Sequence, residues 1–94
     1  MAFYVVNYHY RNDPRLEEVR PRHREFLATL VERGVLRASG PLVGVASPAA
    51  VLICEADDAA AVENALADDP FRAEDLLDRA DITEWNPVLG VFAS

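Results

Sequence analysis

Lysine is missing from this chain altogether: all nine of its basic residues are arginine. Set against sixteen Asp and Glu, they leave a formal net charge of −7. An acid surplus of this kind gives no electrostatic footprint for nucleic acid or an anionic lipid surface, so neither is an expected partner. Cysteine is equally scarce. The single Cys54 excludes an internal disulfide, and its apolar setting in AVLICEA predicts a buried thiol rather than a nucleophile or redox centre. Two distant histidines and one buried cysteine make a poor metal-ligand set, and no glycine-rich phosphate loop is present, so no cofactor is expected. No apolar run approaches the length needed to span a bilayer. The opening MAFYVVNYHYRND has no basic n-region or cleavage-like segment, so no secretory signal is expected. A reducing cytoplasm is the expected compartment.

What is present is an ordinary globular composition, half hydrophobic, and 94 residues predict a single domain over 1–94. A chain this short buries only roughly 60–65% of its unfolded surface, so its core is thin and association would help it. FYVVNYHY (3–10) is aromatic and β-branched, and reads as a strand. Asp13 and Pro14 then give an N-cap and a first helical position. Leu16 and Val19 should point inward. Pro21 should kink this helix or start a second one, which runs to Arg33 with Gly34 as the C-terminal cap. VLRASGPLVG (35–44) is a strand bent near Gly40-Pro41, where Pro argues for a bulge or an edge. AAVLICEA (49–56) is another strand. Asp57 or Asp58 caps a helix carrying Ala59, Val62 and Leu66 inward. Asp69-Pro70 opens a short helix through about Leu77, and 80–92 supply a last strand and a tail.

The order β-α-β-β-α-β is the ferredoxin-like arrangement, an α+β fold with a four-stranded antiparallel sheet and both helices on one face. The other face should be polar in a monomer. Here Phe3 and Val5 alternate with Tyr4, Val6, Tyr8 and Tyr10, and Val51 and Ile53 alternate with Leu52 and Cys54, so both faces are apolar. A patch of this size is rarely left exposed, and a homodimer packed through its sheet faces is the expected state.

Chemistry-bearing residues are few. In VRPRHREFL, His23 is in helical register with Phe26, Leu27, Leu30 and Val31, so an imidazole is in line with the core face. It is either a packed core histidine or a proton-transfer group at a cleft, and the second role needs an orienting carboxylate. Asp69 in ADDPF is the best partner by sequence, although an Asp before Pro at a helix start is already explained as an N-cap. Ser39-Gly40-Pro41 reads as a strand bend, or as a hydroxyl and open amides that could hold a substrate oxygen. Arg20, Arg22 and Arg24 flank His23 and could bind a carboxylate, or simply solubilise the helix. His9 beside the aromatics of the first strand reads as structural.

Three short motifs taken together, Arg20-Pro21-x-His23 leading a helix, Gly34-x-Leu36-x-x-Ser39-Gly40-Pro41, and Asp69-Pro70-Phe71, resemble those of the YciI-like (YCII-related) family in order and spacing over nearly the whole chain. The resemblance implies a ferredoxin-like fold that dimerises through its sheets into a dimeric α+β barrel, with a cleft beside each sheet. It also implies that His23 and Asp69 are an active-site pair and that Ser39, Gly40 and Pro41 line the same pocket. The WNPVLGVF ending differs from the basic-aromatic ends of many relatives.

The expected function is that of a cofactor-independent enzyme of the lyase or isomerase type. In it His23 is general acid or base on a small cyclic or carboxylated molecule, Asp69 holds its tautomer, and Tyr8 and Phe71 are walls of the cleft. The alternative is a non-catalytic dimeric module that binds a small metabolite or a partner protein through the same pocket. A purely structural dimerisation domain would instead lose stability on His23→Ala and bind nothing.

Overall fold

A computed structural model describes residues 1–93. Strand β1 (Ala2–Tyr10) is the centre of the molecule, with β3 (Ala49–Ala56) antiparallel on one side and β4 (Leu77–Trp85) antiparallel on the other. Strand β2 (Leu36–Pro41) pairs antiparallel with β3 at the sheet edge, giving the order β2-β3-β1-β4. Helices α1 (Arg15–Glu32) and α2 (Ala59–Leu66) supply the two long crossovers, and a single-turn helix α3 (Pro70–Ala73) precedes β4. This is the ferredoxin-like β-α-β-β-α-β fold.

Period-2 alternation sorts the sheet faces. Tyr4, Val6, Tyr8 and Tyr10 of β1 are buried with Ala50, Leu52, Cys54 and Ala56 of β3. The helices meet them with Leu16, Val19, His23, Leu27 and Leu30 from α1 and Val62 and Leu66 from α2. Each fully buried Leu or Val contributes about 1.5–3 kcal/mol relative to exposure, which is how so thin a core holds together. On the other face, Phe3, Val5, Val51 and Ile53 are half-buried, and Asn7, His9, Arg79 and Asp81 replace them toward one end. That face is therefore apolar in its middle and polar at its end, not apolar throughout.

Several local expectations need correction. Pro21 does not begin a second helix: α1 is continuous through it. The residue is exposed, so the carbonyl four residues earlier, deprived of its N–H partner, can turn to water. The inward face of α1 is narrower than the spacing implied, because Val31 is exposed and Phe26 only half-buried. Ala59 is exposed on α2, one residue after the Asp58 N-cap, whose carboxylate accepts from the Ala61 N–H. The irregularity in β2 falls between Leu36 and Ala38 rather than at Gly40-Pro41.

The ending of α3 differs most. The helix stops at Ala73 instead of about Leu77, and β4 starts at Leu77 instead of near 80. Asp75 takes φ +57°, the Leu76 N–H reaches the Phe71 carbonyl at 2.8 Å and the Asp75 N–H reaches Arg72 at 3.1 Å. That is a Schellman stop with Asp in the place glycine usually takes, a substitution the left-handed region tolerates. Gly34 closes α1 in the same way, with the Val35 N–H on the Leu30 carbonyl at 3.0 Å. Among the described residues, no helix is long and apolar enough to cross a membrane.

Candidate functional site

α1 carries His23 on its buried face, between Val19 one turn before and Leu27 one turn after. α3 brings Asp69 to it from the far side of the chain. Asp69 is the N-cap of α3, and its Oδ1 accepts from the Phe71 N–H at 3.0 Å. The same carboxylate faces His23 Nδ1 at 2.8 Å through Oδ1 and 3.0 Å through Oδ2. From below, the Tyr8 hydroxyl of β1 donates to Oδ2 at 2.9 Å. Capping and pairing are thus done by one carboxylate.

Asp69 is wholly buried and His23 only 7% exposed. Taking a carboxylate out of water is expensive, and it is tolerated here because three donors converge on its two oxygens. Those donors also fix protonation. Burial, followed by the neighbouring Asp69 charge, pushes the Tyr8 phenol well above its ordinary value, so its hydroxyl stays a donor. An ionised carboxylate accepts only, so Nδ1 must carry the imidazole proton when the ring is neutral. Nε2 is then the lone-pair nitrogen. Among the described residues it has no hydrogen-bond partner, and His23 lines an open cleft of about 200 Å³.

The cleft is bounded by Tyr10, Arg20, His23, Arg24, Ser39, Gly40, Pro41 and Ala50. The Ser39-Gly40-Pro41 segment and His23 therefore meet at one site, α1 facing the edge strand β2. Tyr8 and Phe71 do not wall it. Both are fully buried and stand behind the pair, Tyr8 holding Asp69 and Phe71 stacked on the imidazole with centroids 4.1 Å apart and planes 13° from parallel. The aromatic residue that does reach the cleft is Tyr10, edge-on to Phe71 at 5.4 Å. Its signal was in the alternation of β1, where it shares a face with Tyr8. Of the three arginines flanking His23, Arg20 and Arg24 line the cleft and Arg22 does not. Helical spacing explains this: Arg22 is roughly 200° around from Arg20, whereas Arg24 is roughly 40° away.

Two other candidates stay outside the site. Cys54 is buried under the helices and burial alone pushes its thiol up to about 11, which removes the thiolate at neutral pH. His9 is on the open sheet face, 3.4 Å from Asp81 and beside Arg79 at 3.3 Å. No group of three or more His, Cys, Asp or Glu among the described residues is placed to hold a metal ion.

Known proteins of this shape include several unrelated activities. The structure of 5-chloro-2-hydroxyhydroquinone dehydrochlorinase (TftG) from Burkholderia phenoliruptrix, in complex with 2,5-dihydroxybenzoquinone, superposes with a TM-score of 0.70 at 20% identity, covering 89% of this chain and 93% of that one. A NIPSNAP domain protein from Burkholderia xenovorans gives 0.63 at 16% identity, over 100% and 99%. SnoaB, a cofactor-independent oxygenase from Streptomyces nogalater, gives 0.53 at 18% identity, over 97% and 96%. At these identities the likeness is one of fold. A comparison with curated proteins found no match. The sequence itself does match one family, the YCII-related domain, over residues 1–86. With that match spanning both motifs of the His23–Asp69 pair, the chain belongs to the YCII-related domain family.

Proposed function

We propose that the protein is a cofactor-independent enzyme that moves a proton on a small ring-shaped substrate, by a lyase or isomerase reaction. One observation carries this reading: the imidazole of His23 is clamped at Nδ1 by a buried carboxylate, while Nε2 has no partner among the described residues and the residue borders an open cleft. A structural histidine needs no such asymmetry. In the proposed reaction Nε2 accepts a proton from a substrate carbon or hydroxyl. The electron pair left behind forms a new double bond as a leaving group departs, or returns to another carbon when the proton is handed back. Asp69 stabilises the imidazolium in between and keeps the ring in one orientation. A positioned acid–base group of this kind contributes typically 10²–10⁴-fold.

The proposed working unit is a homodimer packed through the open sheet faces, with Val5 and Ile53, paired across β1 and β3, at its centre. Its proposed compartment is a reducing cytoplasm, where a lone cysteine stays a thiol.

The TftG name describes loss of HCl from a hydroxylated ring, an elimination that suits the same pair, so 5-chloro-2-hydroxyhydroquinone is the first probe to offer. Chloride release and solvent-deuterium incorporation into that compound and into 2-hydroxyhydroquinone are to be followed for wild type and His23→Gln. Catalysis above buffer in the wild type, lost on the order of 10²-fold or more in the variant, supports the reading. Equal rates for wild type and His23→Gln would sink it.

A further inference from the structure

The cleft differs in charge from the rest of the molecule. The chain has sixteen acidic residues and nine arginines, yet the eight residues around the cleft include two arginines and no carboxylate. Asp69 is sealed behind His23 and spent on three donors. Most arginines elsewhere are matched by partners: Arg11 with Asp75 and Asp78, Arg15 with Asp13, Arg37 with Glu55, Arg72 with Glu63 and Arg79 with Asp81. Arg24 at the cleft rim has no carboxylate within ion-pair distance among the described residues. Arg20 is held by Glu17 at 3.1 Å and rests its guanidinium 5.8 Å from the Phe71 ring centre, while Glu17 itself is out in solvent.

We infer that this cleft takes an anionic ring substrate, bearing a carboxylate or an ionised ring hydroxyl, and that Arg24 is the residue that selects for its charge. The inference rests on the proposed function for the site, since it names the substrate class of that same cleft. Three features assign the parts. Arg20, His23 and Arg24 are at i, i+3 and i+4 on one helix and line the same cleft, so both arginines share it with the imidazole. Arg20 is stacked and tethered, which presents a fixed donor fork. Arg24 is exposed and, among the described residues, unpaired, which leaves its fork for a ligand. Opposite them, Ser39 lines the same space. The arrangement also helps the chemistry: removing a proton from an oxygenated ring leaves negative charge, and fixed cations beside it are worth more in a cleft than in water. A protein of net charge −7 gains nothing from long-range attraction of anions, so the discrimination must be local.

The test compares two ligands of one shape, 2,5-dihydroxybenzoate and 2,5-dihydroxybenzamide, titrated into the full-length ¹⁵N-labelled protein at fixed ionic strength. The Ser39 and Gly40 amides are the reporters. The carboxylate is expected to shift both and to bind roughly tenfold or more tightly than the amide, the scale of one charge-assisted contact. Arg24→Gln is expected to erase most of that preference, and Arg24→Glu to reverse it. His23→Gln is expected to keep it, because the charge comes from the arginines. The inference is overturned if the amide binds as well as the acid, if Arg24→Glu leaves the preference intact, or if millimolar carboxylate leaves the cleft amides unmoved. Charge-selective binding without any turnover upholds the anion site and removes the enzyme reading. Turnover with charge-blind binding does the opposite.

Discussion

Phe71 lies flat against His23, centroid to centroid at 4.1 Å, and this one stack ties the four-residue helix α3 to the middle of α1. The ring fills the space behind the imidazole and prevents it from swinging off Asp69. Phe71→Leu keeps the burial but loses the flat surface. Expected is a loss of about 1 kcal/mol in urea unfolding, with a clearly larger proportional loss in proton-transfer rate. Phe71→Ala should cost about 3–5 kcal/mol, because the residue is fully buried.

Asp69→Asn tests the clamp itself. Replacing a buried carboxylate that serves three donors with an amide leaves at least one donor facing an N–H, and an expected cost of about 3–5 kcal/mol follows. The imidazole should also lose its fixed tautomer. Long-range ¹H–¹⁵N correlation spectra of the His23 ring should show Nδ1 protonated in wild type and a mixture in the variant. A single unchanged tautomer in both would mean that Asp69 does not set it.

Tyr8 predicts an alkaline limb of instability. Its folded-state pKa is raised above the unfolded value of 10.0 by burial and by Asp69, so the folded state binds the phenolic proton more tightly. The associated stability is complete below pH 10 and is lost as pH rises beyond it. Tyr8→Phe should lower the stability measured by urea unfolding at pH 7 by about 1.5–3 kcal/mol, for a hydrogen bond to a charged group. It should also flatten the fall in stability above pH 10. Equal alkaline slopes for the two proteins would count against this account.

Cys54 should be silent until the protein opens. With the thiol buried and its pKa pushed up to about 11, iodoacetamide at pH 8 should label native protein orders of magnitude more slowly than urea-unfolded protein, as read by mass spectrometry.

The proposed dimer is checked at Val5 and Ile53, neighbours across β1 and β3 on the open face. Ile53→Arg should shift light-scattering mass from dimer to monomer with little change in the far-UV spectrum. A wild type that is monomeric at micromolar concentration would remove the dimer from the proposal.

The elements with strong local signals were legible in the sequence. The alternation in β1 and β3 and the Gly34 stop act through nearest neighbours and are where the pattern put them, and of the two candidate caps, Asp57 and Asp58, the structure uses Asp58. The His23–Asp69 contact spans 46 positions, and no periodicity connects residues so far apart; the motif resemblance pointed to it, and the fold brings the two side chains together. The errors have their own causes. The second helix expected at Pro21 does not form, because an exposed helix face forgives a missing hydrogen bond. The stop after α3 was missed because Asp75 occupies a backbone region that sequence reasoning reserves for glycine. Tyr8 and Phe71 were assigned to the cleft, although the sheet turns one toward Asp69 and the helix start turns the other behind His23. Which side of an imidazole an aromatic ring will occupy is a tertiary fact.

Asp69 Oδ1 receives both the Phe71 amide and the His23 ring, and a single turn of helix has no independent stability. Any breathing motion that frays α3 therefore disassembles the pair, and closing α3 rebuilds it. Hydrogen exchange at the Phe71 amide consequently times how often the site exists, residue by residue and without a substrate in the tube.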